Sequence, residues 1–410
     1  MIRILFVAAR GLVLVGAAAM STGCTLSDAL RGDPITSART NGGTETRTVH
    51  VAIVTDRKLG THEQLGFDNH WDEEVRCSSA NVTVPAPAVS GAAAVSAELP
   101  VPGTCTDRQP FDKFAASVSE ANLPGGCRSV LLYVHGYNTT FRSALLRAGQ
   151  IAADAEWPCA MAAFSWGSEG KFDRYAADIE RSGYAVPVLM NVLESLRRSH
   201  IQANIIAHSM GSRTTLSALS ALGDACFAEG PFVNELILAA PDVSSEKYND
   251  DFGTLLARAL PCVRRATIYA SRNDIVLMLS ESIHGGIPRA GLEPESDLHY
   301  TADSARVEIV DASEAPGDPF GHGYFVSSYE MLDDIMMVLR GADIARRAAT
   351  PGASTLLCAN EEKKACTGSQ DRYRLAVSSA RQPDLMARLE RHILAHLLAI
   401  RYGVPGQLTP

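Results

Sequence analysis

From position 128 onward the chain alternates short apolar runs with segments of helical period. SVLLYVHG (129–136), CAMAAFSWG (159–167), ANIIAHS (203–209), NELILAAPD (234–242), RATIYASRND (265–274) and ARVEIVDAS (305–313) carry apolar residues without strict alternation. That is the pattern of strands buried on both faces. Between them Thr140–Asp154, Tyr175–His200, Ser212–Leu222 and Asn249–Leu260 read as helices, with Pro187 set to break or kink the second. Strand and helix in this rhythm predict an α/β fold, a mostly parallel sheet flanked by helices.

The pattern changes at both ends. TRTVHVAIVTDR (46–57) alternates and is β-branched, so it reads as the first ordered strand of a domain covering 46–342. Ser79 to Gly103 is rich in Ala, Val, Pro and Ser without helical period and reads as an irregular insertion, about 79–104. Residues 343–410 read as a small helical extension, because Leu385, Leu389, Ile393 and Leu397 recur every fourth position, as on a helix packed against a domain surface.

Residues 1–24 read as a signal peptide: Arg3 and Arg10 near the start, a short apolar run from Gly11 to Met20, then Ser21-Thr22-Gly23-Cys24. The run is too short to span a bilayer. Small residues before a cysteine resemble a bacterial lipobox, in which Cys24 carries the lipid, although Ser21 stands where leucine is usual; ordinary cleavage is the alternative. Thr25 after the cysteine points to the outer membrane, facing the periplasm, with 25–45 as a tether. The membrane partner is then reached through a lipid anchor, and a monomer is expected.

Nine cysteines in an exported chain call for disulfides plus one leftover, which Cys24 supplies. Eight cysteines allow 105 pairings. Position suggests Cys127 with Cys159 and Cys226 with Cys262, each near a strand start, then Cys358 with Cys366, leaving Cys77 for Cys105. The lack of any C-x-x-C pair argues against structural zinc or redox chemistry. A net charge of −9 with no basic stripe argues against nucleic acid as a partner, since phosphate binding needs clustered cations.

The candidate chemistry starts at Ser209. Ala207-His208-Ser209-Met210-Gly211 has the form of a G-x-S-x-G elbow with alanine for the first glycine, between a buried strand and an immediate helix. Small outer residues let strand and helix crowd together while the hydroxyl projects into a cleft, and the Met210 N–H stands ready as an oxyanion donor. A bare helix N-cap is the plain alternative. LLYVHGYN supplies a second donor, the Tyr137 N–H, after a His135-Gly136 turn that lets backbone approach a substrate.

A serine hydroxyl needs a base, and in this fold class the order along the chain is serine, acid, histidine. His322, on a glycine-rich loop after the last strand, is favoured over His284 and His299; His208 adjoins the serine, and His392 and His396 lie on the C-terminal helix. Two carboxylates compete for the acid. Asp274 ends the strand before the last and is favoured, while Asp242 ends the strand before that and is otherwise a pocket-wall group.

Taken in order, LLYVHGYN, AAFSWGS, IIAHSMG, LAAPDV, YASRNDIVL and GHGYF resemble the bacterial alpha/beta hydrolases of unknown function, a family with many exported members. The resemblance runs from about Thr48 to Leu339. It implies a triad of Ser209, Asp274 and His322, and it makes Trp166 a wall of the substrate cleft. It brings no established substrate. The expected activity is cleavage of a carboxylic ester or related acyl bond in a small-molecule substrate, with no metal or organic cofactor. A non-catalytic envelope lipoprotein using the same fold for binding is the competing expectation, and a peptidase is a weaker third.

Overall fold

Hydrophobic pattern becomes architecture in a single mixed sheet, described here from a computed structural model. It describes residues 46–60, 66–85, 96–97, 110–122, 126–246, 251–292, 306–315, 320–343, 347, 353–356 and 371–375. In chain order the strands are β1 (Thr46–Leu59), β2 (Phe67–Pro85), β3 (Ser96–Ala97), β4 (Ser129–Val134), β5 (Ala160–Ser165), β6 (Gln202–His208), β7 (Val233–Ala239), β8 (Val263–Ala270), β9 (Val307–Asp311), β10 (Ala353–Leu356) and β11 (Asp371–Leu375). Across the sheet they run β10-β11-β9-β8-β7-β6-β4-β5-β1-β2-β3. From β11 to β1 every neighbouring pair is parallel, and antiparallel pairs close both edges.

The central strands β4 to β8 are apolar on both faces because helices cover both. One face packs Leu132, Ile205, Leu236 and Ile268 under Tyr175–Arg198 and Met210–Ala221; the other packs Leu131, Ile206, Ile237 and Tyr269 under Phe141–Asp154 and Tyr329–Leu339. Pro187 lies inside Tyr175–Arg198 without ending it. Packing of Ala185, Leu189, Val192 and Leu193 into the core holds the helix across the missing hydrogen bond.

One sequence expectation is corrected. Residues 79–85 do not begin an irregular insertion: they continue β2, where Ala80, Val82 and Val84 are buried in alternation and pair with β1. The composition hid a strand whose period is two. The described part of the C-terminal extension also holds strands that the sequence did not suggest: β11 adds in parallel to β9 and β10 pairs antiparallel with β11. The predicted helix around Leu385–Leu397 lies outside the described residues, as do the signal peptide, Cys24 and the tether.

Disulfides join Cys127 to Cys159 and Cys226 to Cys262, stapling the entry ends of β4 and β5 and of the segments leading to β7 and β8. Cys77 is also disulfide-bonded; Cys105, Cys358 and Cys366 lie outside the described residues. Among the described residues no helix is long and apolar enough to cross a membrane.

Beyond the helix Tyr329–Leu339 the fully buried Arg347 ties that helix to β9. Its guanidinium makes a bidentate pair with Asp334 (3.0 and 2.9 Å) and a further pair with Glu308 of β9. Removing the cation would take the guanidinium from two buried carboxylates, of which Glu308 keeps Arg265 at 3.6 Å, a cost of about 3–5 kcal/mol. Arg347→Met is therefore expected to lower the urea unfolding free energy by about that much; a loss below about 1 kcal/mol would show the pair to be dispensable.

Helix and sheet approach closely at Gly211. A Cβ there would meet the Val134 carbonyl oxygen at 2.7 Å and overlap that of His135, whereas one at Gly183 would meet nothing within 4 Å. Gly211→Ala is expected to destabilise by about 1–3 kcal/mol through overlap with rigid backbone. Gly183→Ala, exposed in a helix interior, should stabilise by about 0.5–1 kcal/mol, and equal effects at the two sites would contradict this account of the crossing.

Candidate active site

All the parallel strands deliver their carboxyl ends to one edge of the sheet, where the loops carrying the candidate residues meet. Ser209 follows β6 directly, and Met210–Ala221 starts at the next residue. To turn that corner Ser209 adopts φ +53° and ψ −124°, a region costly for a residue with a side chain. Its backbone is tied down on three sides: its N–H donates to Ala239 O (2.9 Å), and its carbonyl accepts from Ser212 N (3.0 Å) and Asp242 N (3.2 Å). The hydroxyl makes no capping bond to the helix, so the N-cap alternative does not describe it.

Gly136 lies against the serine. A Cβ at 136 would stand 2.7 Å from Ser209 Cβ and 3.0 Å from the His208 carbonyl oxygen, so only glycine lets the β4 loop come this close. Met210 is buried at the start of the helix, where the first N–H groups have no intrahelical acceptor.

Of the two candidate carboxylates, only Asp274 meets His322. Asp274 is fully buried; its Oδ2 stands 2.7 Å from His322 Nδ1, while its Oδ1 caps Ile275–Ile283 by accepting from Leu277 N (3.0 Å). The imidazole is thus held at one nitrogen with little exposure. His208 supports the same loop. Its Nε2 sits 3.2 Å from the His322 carbonyl oxygen and its ring packs 4.6 Å from those of both His322 and Phe325. Since a carbonyl only accepts, His208 Nε2 carries the proton. Burial first, then the neighbouring His322, pushes its pKa well below the usual histidine value, so His208 is neutral.

Asp242 belongs to a different cluster. Tyr175 Oη and Ser280 Oγ each donate to it at 2.6 Å, and Arg289 Nε lies 3.7 Å away. Burial, then the Asp242 charge, pushes the Tyr175 pKa well up, so the phenol stays a donor. The Tyr175 ring stands edge-on to Tyr137 (5.1 Å) and to His284 (5.8 Å), which places His284 beside this cluster. His299 lies outside the described residues.

Trp166 and His135 do not line an open cleft. Both are fully buried: the indole stacks on the imidazole at 5.0 Å and donates from Nε1 to the His135 carbonyl (2.8 Å). Trp166 therefore holds the β4 loop from beneath, because the flat apolar ring that would suit a pocket wall finds more partners in the core. Tyr137 is partly buried, its hydroxyl donating to the Phe172 carbonyl.

Sequence reasoning missed the groups that grip this loop. Arg57, at the end of β1 and fully buried, donates from Nε to Ser165 Oγ (2.9 Å), from Nη1 to Ser168 O (2.8 Å) and Asn69 Oδ1 (3.3 Å), and from Nη2 to Thr139 O (2.8 Å). Burial lowers its pKa to about 10, which leaves it charged at neutral pH. Beside it burial lifts the Asp56 carboxyl to about 7 against the pull of Arg57. Asp178 accepts from Ser168 Oγ (2.6 Å), Glu169 N (2.8 Å) and Asn138 N (3.1 Å), and burial raises its pKa too. The only local signal was a charged pair closing an alternating strand, and its partners lie 78 to 111 residues away for the β4 and β5 loops.

Among the described residues no group of three or more His, Cys, Asp and Glu is arranged to hold a metal ion. An aspartate-anchored imidazole, a serine on a strained strand-to-helix turn and backbone N–H groups at a helix start are the parts that serine-dependent acyl transfer uses.

Comparison with known proteins gives a family. No curated protein matches the chain. Among solved structures, one from Agrobacterium vitis S4 described as a hydrolase is 14% identical, with TM-score 0.30 over 72% of this chain and 98% of that one. Another, from a study of two esterases of the fungus Rhizomucor miehei, is 11% identical, with TM-score 0.25 over 87% of this chain and 85% of that one. Neither likeness is close enough to carry an argument. The match that counts covers residues 117–340, and by it the chain belongs to the family described as alpha/beta hydrolase of unknown function (DUF900).

Proposed function

We propose that this hydrolase is a serine hydrolase of the bacterial cell envelope that cleaves a carboxylic ester or related acyl bond. Ser209 attacks the acyl carbon, and His322 takes the hydroxyl proton and returns it to the leaving group. Asp274 holds the imidazole in one tautomer and stabilises its charged form, and the Tyr137 and Met210 N–H groups receive the developing oxyanion. Water then repeats the cycle on the acyl-enzyme. No step calls for a metal or organic cofactor.

The observation that carries this reading is the 2.7 Å contact between buried Asp274 and His322 Nδ1, in a chain whose Ser209 is held at φ +53° with no capping bond and whose neighbouring His208 packs on His322. A purely structural serine gains nothing from such strain, whereas a nucleophile gains exposure to its substrate. That weighs against a scaffold that merely keeps the fold. The envelope assignment rests on the leader sequence: export, lipidation at Cys24 and attachment to the outer membrane facing the periplasm.

A fluorophosphonate probe is expected to label the wild type and not Ser209→Ala, and absence of label on folded wild type would refute the serine-hydrolase reading. On p-nitrophenyl esters Asp274→Asn should lower kcat about 10⁴-fold, because a neutral amide no longer stabilises the charged imidazole and its NH₂ can hold the wrong tautomer. Asp242→Asn should cost less than about tenfold, since its partners are Tyr175, Ser280 and Arg289 rather than His322. The reverse ranking would exchange the two carboxylates' roles.

A further inference from the structure

The loop 135–139 is held peptide by peptide. The His135 carbonyl accepts from Trp166, the Asn138 N–H is held by Asp178, the Thr139 N–H donates to Ser168 Oγ (3.0 Å) and the Thr139 carbonyl accepts from Arg57. The peptide between Gly136 and Tyr137 is held by another device. The Gly136 carbonyl oxygen lies 2.8 Å from His135 Nδ1. A carbonyl can only accept, so Nδ1 must carry a proton. On the far side of the ring, Arg57 Nη2 stands 3.4 Å from His135 Nε2. A guanidinium can only donate, so Nε2 must present its lone pair.

Both contacts therefore require the same neutral tautomer. The guanidinium cannot swing away, because Ser165, Ser168, Asn69 and Thr139 fix its other donors. A half-turn of the ring would keep its stack on Trp166 but put carbon atoms where both contacts need nitrogen, so the two contacts themselves hold the ring as it is. In a trans peptide the C=O and the following N–H point in opposite directions, so fixing the Gly136 oxygen also fixes where the Tyr137 N–H aims.

We propose that Arg57 and His135 are positioning residues for the oxyanion donor: Arg57 selects the Nδ1–H tautomer of His135, His135 anchors the Gly136 carbonyl, and the anchored peptide aims the Tyr137 N–H. The catalytic consequence rests on the serine-hydrolase reading; the tautomer and the anchoring rest on hydrogen-bond chemistry alone. Burial first, then the Arg57 charge, lowers the His135 pKa to about 3, so the ring stays neutral through the ordinary pH range and the device does not switch off. His135 cannot serve as a general base in this state, although it lies in the loop against Ser209.

The test begins with the unmutated protein. In ¹⁵N-histidine-labelled wild type, His135 should show a protonated Nδ1 and an unprotonated Nε2; the opposite tautomer overturns the proposal. Arg57→Met should mix the tautomers and speed hydrogen exchange at the Tyr137 amide, and unchanged exchange in the folded variant also overturns it. On p-nitrophenyl acetate, Arg57→Met and His135→Leu should lower kcat about 10- to 100-fold, less than outright loss of an oxyanion donor. KM should stay nearly constant, and affinity for a trifluoromethyl ketone should fall in step with kcat/KM. His135→Asn, whose amide can donate from near the Nδ1 position, should recover most of the loss; recovery no better than with leucine counts against the anchor. If Arg57→Met does not fold, the wild-type spectrum and the two His135 variants carry the test. If the wild type is inert to fluorophosphonate, the catalytic consequence falls with the serine-hydrolase reading, and the spectrum and exchange still decide the positioning claim.

Discussion

The close crossing of the helix Met210–Ala221 over β4 is the constraint on which the rest of the molecule depends. At Gly211 the helix backbone comes within overlap distance of the Val134 and His135 carbonyls for any residue bearing a Cβ, and at Gly136 the β4 loop also comes within overlap distance of Ser209. Ser209 sits between these two contacts and can turn from strand to helix only by taking φ +53°. Such strain persists only where the surroundings over-determine the backbone. Here Ala239, Ser212 and Asp242 do so through hydrogen bonds, and the core beneath β6 and β7 does so through packing.

Around that crossing, polar groups are buried where they can be satisfied by several loops at once. Arg57 joins β1 to the loops after β4 and β5, Asp178 joins the same two loops from the helix side, and Asp274 joins the start of its own helix to the loop of His322. A buried charge is costly unless it is paired and hydrogen-bonded, so each of these groups makes the arrangement of its neighbours hard to change. Asp242 uses the same logic with Tyr175, Ser280 and Arg289. The same principle acts far from the site, where Arg347 fastens β9 to the helix Tyr329–Leu339.

Strands β4 to β9 were legible because burial on both faces writes itself into composition as unbroken apolar runs, and four of the helices between them through their period, whereas Ile275–Ile283 was not read. The elbow at Ser209 was legible for a related reason: small residues at 207 and 211 flank a serine at the point where the pattern changes period. Edge elements were harder to see. The far part of β2 has Asn, Thr and Ser on its outer face, and β10 and β11 lie in a tail whose loudest pattern is helical, so their strand character depends on partners that local composition does not name.

Within the site, the same division holds residue by residue. Order along the chain narrowed the acid to Asp274 or Asp242 and the base to a few histidines, because loops after successive parallel strands must reach one edge of the sheet. Which carboxylate meets His322 is a matter of side-chain direction over a few ångströms, and only the folded chain brings Asp274 Oδ2 to 2.7 Å. The same holds for Trp166, whose motif marked it as important while its burial under His135 assigned it to support rather than to a cleft wall. Arg57 is the extreme case. Nothing near it in sequence distinguishes it from an ordinary strand-end cation, and its place against Thr139 and His135 exists only because β1 adds to the sheet beside β5. Sequence by itself determined the parallel sheet, the strained corner and the set of candidate groups, since periodicity and residue size are local. Tertiary structure alone decided which groups meet, since hydrogen-bond partners are chosen by distance and direction across loops far apart in the chain.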